Sequence, residues 1–354
     1  MRISGVGSAL PEHRYPQETL TQALKAYWGS RLEKPEQFER LHAHMRVETR
    51  HLAYPMARYL DFLTFGDTNA AWLEAAQGLG EHAIDAALDC AGLTRSDLNA
   101  LIVVSVTGVA SPSLDARLIN RMNLRSDIRR TPIFGVGCVG GALGLSRAAD
   151  HVRAYPEHRA AVLAVETCSL TLDRNDLSTA NLIATGLFGD GAAAAIVSGA
   201  RATGAQAQEA GPKILACHSV FYPQSEEIMG WDISESGFKI VLSPQLMDLI
   251  RTNLGRDVDA FLRGHGLSRA DIGNWVIHNG GPRVLEAMQD ALGLDERDTQ
   301  LSWASLNRIG NLSSASVLMV LEDTLKERRP KTGTIGVLLA MGPGFSSEMI
   351  LLKW

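Results

Sequence analysis

The run Phe134-Gly-Val-Gly-Cys-Val-Gly-Gly-Ala142 constrains this chain more than any other stretch. An apolar, β-like stretch ends in glycines, a thiol follows, and small residues continue as a helical pattern from Gly140 to Arg153. Glycines permit a sharp strand-to-helix turn and close backbone approach. Cys138 is therefore expected at or near a helix N-terminus, where aligned peptide dipoles favour thiolate over thiol. A free cysteine also serves as a small buried apolar residue, but the glycine setting favours the reactive role.

Two polar residues downstream share such a setting. In Trp275-Val-Ile-His-Asn-Gly-Gly-Pro-Arg283 a buried strand delivers His278 to a glycine turn, with Pro282 placed to open a helix. Imidazole pairs with a thiolate or donates to a thioester oxygen; it also occurs as a satisfied core residue. In Ile309-Gly-Asn-Leu-Ser-Ser-Ala-Ser316, Asn311 reads equally as a helix N-cap and as an oxyanion donor. Together Cys138, His278 and Asn311 point to acyl transfer and condensation. Phe188-Gly-Asp-Gly-Ala-Ala-Ala194 precedes a strand with no helix opening on it, so it is no dinucleotide fingerprint; Asp190 is expected to bond its own turn. Cys90, in a helical pattern, is expected in the core, and Cys168 in packing or pocket lining. His42, His44, His51, His151, His158 and His265 lie in polar surroundings and read as solvated.

Strand patterns over Arg2–Leu10, Leu98–Val106, Ala160–Val165 and Ala192–Val197 alternate with helical ones over Pro16–Trp28, Pro35–Met45, Asp67–Ala91 and Leu114–Met122. After Gly199 to Gly211, the best linker candidate, the pattern resumes. Strands are expected over Lys213–Phe221, Phe238–Leu242, Trp275–Ile277, Thr334–Ala340 and Glu348–Leu352, and helices over Pro244–His265, Pro282–Leu292 and Asn311–Arg328. The expectation is an α/β chain of two halves, residues 1–200 carrying the cysteine and 212–354 carrying the histidine and asparagine, each a mixed sheet covered by helices.

With 34 basic against 39 acidic residues, net −5, nucleic acid is not the expected partner. The four cysteines fit no CxxC metal site, and scattered cysteines suit a reducing compartment. The opening Met1-Arg-Ile-Ser-Gly-Val-Gly has no signal-peptide core, and apolar runs fall far short of the ~20 residues a membrane helix needs. A cytoplasmic protein without integral membrane association is expected.

The chain resembles the type III polyketide synthases, the chalcone-synthase-like enzymes of the thiolase superfamily, over essentially its whole length. Gly137-Cys-Val-Gly-Gly141 is similar to the family's nucleophile motif, and Leu187-Phe-Gly-Asp-Gly-Ala-Ala193 to its gatekeeper motif. His278-Asn-Gly-Gly-Pro282 resembles its His-Pro-Gly-Gly-Pro, with Asn279 replacing the first proline. Gly310-Asn-Leu-Ser-Ser-Ala315 and Met341-Gly-Pro-Gly344 resemble two further motifs, Met341 replacing a phenylalanine. Neither departure replaces a catalytic side chain. Pro112-Ser-Leu-Asp-Ala-Arg117, Leu145-Ser-Arg-Ala148 and Met229-Gly-Trp-Asp-Ile233 look most like bacterial alkylpyrone and alkylresorcinol synthases.

The resemblance implies a thiolase-like duplicated αβαβα fold, a homodimer, Cys138, His278 and Asn311 as catalytic residues, and Phe188 at a tunnel mouth. It implies Val106, Thr171, Trp231, Ile240 and Ser313 as cavity lining, Trp231 bulky where chalcone-type enzymes have glycine. Arg40 matches a CoA-phosphate residue, Gln37 and His44 stand where lysines would, and Arg46 and Arg283 are further CoA candidates. Ser111 stands where chalcone-type enzymes send a methionine into the partner's cavity. The activity implied is decarboxylative condensation of an acyl-CoA starter, of medium or long chain, with malonyl-CoA, then closure to an alkyl α-pyrone or alkylresorcinol, with no metal or redox cofactor. The rivals are the initiating ketoacyl-carrier-protein synthase of fatty-acid synthesis and a catalytically silent thiolase-fold scaffold.

Overall fold

The computed structural model describes residues 1–203 and 211–354, so residues 204–210 of the expected linker lie outside the described residues. Nine strands form one sheet in the order Ile272–Ile277, Ile335–Gly342, Ser346–Lys353, Lys213–Phe221, Arg2–Ala9, Asp190–Ser198, Arg159–Thr167, Ala100–Val104, Arg129–Ile133. The strands of the two sequence halves meet at Arg2–Ala9 and Lys213–Phe221, whose ladder holds the single pair Arg2–Lys213. The expected separate sheets are thus joined edge to edge, at one narrow seam.

Helices Gly140–Ala154 and Ser316–Glu327 lie between the two halves of the sheet. Leu145, Val152, Leu318 and Leu321 share one core with Val104, Val162 and Val197 on one side and Val276, Leu338 and Ile350 on the other. The outer face of the first half is covered by Phe65–Ala91 and Leu114–Arg121. The outer face of the second is covered by Leu246–Arg263 and Pro282–Leu292. The layers run α, β, α, β, α, the duplicated arrangement expected.

Strand Asp190–Ser198 is buried at every position, because helices cover both its faces, and its alanines keep those layers close. A Cβ on Gly5 or Gly7 would overlap the backbone of Ala86 and Ala87, so helix Phe65–Ala91 lies directly on strand Arg2–Ala9. That helix opens on a capping box, Thr64 with Asp67, and closes on left-handed Gly92.

Several expectations fail locally. Cys90 is exposed: the buried stripe runs through Ala83, Ala87 and Ala91, one position off. His42 is buried rather than solvated, 4.0 Å from the Phe38 ring one helical turn back, with Nδ1 2.8 Å from Thr21 Oγ1. Burial pushes its imidazole down to about 3, so it stays neutral. Helices Thr179–Leu187 and Gln300–Ile309 and strand Met229–Ser234 go beyond the elements read from sequence.

Candidate active site

The cysteine run folds as its glycines require. After strand Arg129–Ile133, Gly135 and Gly137 take positive φ of 86° and 53°, and the turn Gly137–Val139 leads into helix Gly140–Ala154. A Cβ on Gly141 would overlap Ser314 O, and one on Gly140 would stand 3.1 Å from Ser314 Cβ. Bare glycines therefore let this helix start touch the turn Ser313–Ala315, and Cys138 Sγ lies 3.7 Å from Ser313 Oγ.

His278 ends strand Ile272–Ile277, its N–H donating to Leu339 O at 3.0 Å. Its imidazole is buried, and neither ring nitrogen has a partner among the described residues. Asn311 does not cap helix Ser316–Glu327. It pairs through its backbone with the segment around Phe188, donating to Leu187 O at 2.9 Å and accepting from Gly189 N at 3.0 Å. Its Oδ1 accepts from Ser313 N at 2.7 Å and Ser316 Oγ at 3.3 Å, and Nδ2 donates to Gly280 O at 3.4 Å. The Asn311 side chain also hydrogen-bonds with the Cys138 thiol, which offsets part of the effect of burial on it.

All three side chains line one cavity of about 790 Å³, with Phe188, Val106, Trp231, Ile240, Ser313 and Arg283. Trp231 and Ile240 come from the two-stranded ribbon Met229–Ser234 and Gly237–Leu242. Thr171 lies elsewhere: with Cys168 it lines a second cavity of about 530 Å³, which shares Phe188, Trp231 and Ile240 as a common wall. Arg40 and Arg46 are exposed and do not line the first cavity, whereas His44 does. Arg46 lies over the Trp303 ring at 4.0 Å and 3.7 Å from Glu296. Met341, Pro343 and Phe345 place the last glycine loop on the same cavity.

Burial opposes the charge expected on the cysteine. It pushes the Cys138 thiol up to about 11 and the His278 imidazole down to about 3, so each taken singly is neutral. A neutral imidazole with a free ring nitrogen is a proton acceptor for a thiol and a hydrogen-bond donor through its other nitrogen.

Sequence reasoning missed the residues that brace this site. Glu166 is fully buried, accepting from Val106 N at 3.0 Å, Thr107 Oγ1 at 2.8 Å and the Ser314 hydroxyl; burial pushes it up to about 7. Buried Arg50 donates to Gln17 Oε1 at 2.9 Å and to Phe188 O at 2.9 Å, holding the Phe188 backbone. Asp190 accepts from Ala53 N at 2.7 Å and Ser169 N at 2.8 Å rather than from its own turn. These partners lie 59 to 148 residues from Glu166, and Phe188 lies 138 from Arg50, so no local motif announces them. Among the described residues no group of three His, Cys, Asp or Glu could hold a metal ion, and no helix is long and apolar enough to cross a membrane.

This five-layered fold, with a thiol, an imidazole and a carboxamide on one cavity, is that of the thiolase superfamily. Residues 2–201 match the model of the N-terminal domain of chalcone and stilbene synthases, and residues 213–354 that of the C-terminal domain. The chain is 49% identical over 353 residues to a 1,3,6,8-tetrahydroxynaphthalene synthase of Streptomyces peucetius subsp. caesius, covering 99% of this chain and 93% of that one. It is 34% identical to a putative chalcone synthase of Bacillus subtilis (strain 168), over 99% of this chain and 98% of that one. The crystal structure of 1,3,6,8-tetrahydroxynaphthalene synthase from Streptomyces coelicolor A3(2), a bacterial type III polyketide synthase, superposes with a TM-score of 0.93 at 32% identity, covering 100% and 99%. The chain belongs to the chalcone and stilbene synthase family of type III polyketide synthases. It is an enzyme of decarboxylative condensation and cyclisation.

Proposed function

We propose that Cys138, His278 and Asn311 form the catalytic centre and that the enzyme builds aromatic polyketides from CoA thioesters. The observation that carries this is the convergence of all three on one cavity behind Phe188. His278 takes the proton of Cys138, whose sulfur attacks the starter thioester; a C–S bond forms and CoA leaves as its thiol. Malonyl-CoA then loses CO2, the electron pair of the broken C–C bond passing into an enolate. His278 and Asn311 donate to that thioester oxygen; such a donor is worth about 3–4 kcal/mol. The enolate carbon attacks the acyl carbon on Cys138, forming the new C–C bond and freeing the sulfur. The relatives' names describe a naphthalene with oxygens on alternate carbons, as a poly-β-keto chain leaves on ring closure.

A second reading, extension of aliphatic starters to alkylpyrones or alkylresorcinols, is favoured by the apolar second cavity beyond Trp231 and Ile240. The two are separated by product mass spectrometry, malonyl-CoA alone against malonyl-CoA with a panel of acyl-CoAs. An aromatic phenol from malonyl-CoA alone supports the first reading, and alkyl products formed only with acyl-CoA support the second. A strict demand for carrier protein would instead favour the initiating ketoacyl synthase.

We read Arg283 and His44 at the cavity, with Arg40 and Arg46 nearby in sequence, as the CoA-phosphate contacts; Arg283→Ala is expected to raise KM for malonyl-CoA, and an unchanged KM excludes that role. Residues 1–200 supply the nucleophile and 212–354 the histidine and asparagine. The edge strand Arg129–Ile133 is unpaired on its outer side among the described residues and runs into exposed Phe134, which supports a homodimer across that edge. Sedimentation at the monomer mass would overturn it. The four cysteines are all free, in keeping with a cytoplasmic location.

A further inference from the structure

Between His278 and the helix beginning at Pro282 the chain is Asn279-Gly280-Gly281. Two of these three residues are glycines, one at φ 125°, and hold no fixed conformation by themselves. The imidazole has no hydrogen-bond partner among the described residues, so its aim is set by its backbone, held on one side by the strand bond to Leu339 O and on the other by this loop. Asn279 is the one loop residue with a side chain, and it is fully buried. Its Nδ2 donates to Gly310 O at 3.5 Å, the carbonyl directly before Asn311. In the opposite direction Asn311 Nδ2 donates to Gly280 O at 3.4 Å. Two amides thus cross between the loops that carry the two oxyanion donors. Turned over, Asn279 would set its carbonyl oxygen against that of Gly310, so the donor must face it. The other end, Oδ1, is buried without a partner among the described residues. An apolar residue would fill the space with no orphaned oxygen; the position uses the donor.

We propose that Asn279, which does not line the cavity, is a positioning residue that locks the His278 loop to the Asn311 loop and so sets the spacing of the two donors around the malonyl thioester oxygen. The inference rests on the proposed roles of His278 and Asn311. Misplacing a catalytic group by about 1 Å costs on the order of a hundredfold, whereas substrate binding, made mostly elsewhere in the cavity, is little affected.

The test is malonyl-CoA decarboxylation by wild type, Asn279→Ala, Asn279→Asp and Asn279→Pro, each checked for folding by its thermal midpoint. Alanine and aspartate remove the donor, aspartate at nearly constant volume; proline removes it too but fixes φ covalently. The Asn279 N–H makes no backbone hydrogen bond among the described residues, so proline deletes none. The expected result is a kcat lowered about ten- to hundredfold in the alanine and aspartate variants, KM within about twofold of wild type, and proline returning kcat most of the way. Wild-type kcat in a folded alanine or aspartate variant overturns the proposal, as does a folded proline variant no better than alanine. If alanine fails to fold, the aspartate and proline variants decide by the same criteria. Absence of decarboxylation in wild type itself would instead remove the reading on which the inference stands.

Discussion

Cys138 and His278 are each pushed toward the neutral form by burial, yet the chemistry needs sulfur as thiolate. In the proposed mechanism the two resolve this together: the imidazolium formed when the proton moves to His278 stabilises the thiolate. Without a charged imidazole the thiol stays raised to about 11 by burial, which hydrogen bonds from Ser313 and Asn311 offset only in part. In His278→Ala, the pH midpoint of Cys138 alkylation by iodoacetamide is therefore expected to move upward by at least a unit toward that value. An unmoved midpoint would mean that the histidine does not set the state of the thiol. Both residues were legible in the sequence because glycines flank them. Glu166 and Arg50 were not, since an ordinary strand residue becomes a brace only when distant hydroxyls and carbonyls close on it.

At the scale of elements, the cysteine helix and the serine turn meet because Gly140 and Gly141 carry no side chains. Gly141→Ala would drive a Cβ into Ser314 O and to within 2.9 Å of Val317 Cγ1. Overpacking of this kind costs about 1–3 kcal/mol. A lower urea midpoint is expected, with reduced turnover as Ser313 is pushed from the sulfur; wild-type values of both would show that the approach has slack. The ribbon bearing Trp231 and Ile240 is the partition between the two cavities. Trp231→Gly takes one side chain out of the wall it forms with Ile240 and Phe188, so longer acyl-CoA starters or further extensions are expected in the product mass spectrum. An unchanged product profile would show that the tryptophan is packing alone. The ribbon's second strand was readable from its β-branched run, but Met229–Ser234 was not: three of its six residues are exposed and it pairs with nothing but its neighbour among the described residues.

For the whole molecule, the alternation of strands and helices was enough to expect two α/β halves, because each buried strand is a short apolar run. That the halves share one sheet was not legible, since a single residue pair makes the seam. The tightly packed interior carries a pH dependence. Glu166 is held up at about 7 against 4.5 when free, so the fold keeps this proton after the unfolded chain has lost its own. Stability is expected to fall as pH rises from about 4.5 to 7, by up to about 3 kcal/mol, and to fall less in Glu166→Gln; identical urea midpoints for the two proteins across that range would contradict it. Whether Cys138 carries the growing chain is read out by peptide mass spectrometry after mixing the protein with an acyl-CoA that it uses as a starter. The expected result is a thioester adduct on the Cys138 peptide alone, which disappears when malonyl-CoA is added and is absent from Cys138→Ala. An adduct on another residue, or one on Cys138 that malonyl-CoA leaves untouched, would mean that Cys138 does not carry the chain.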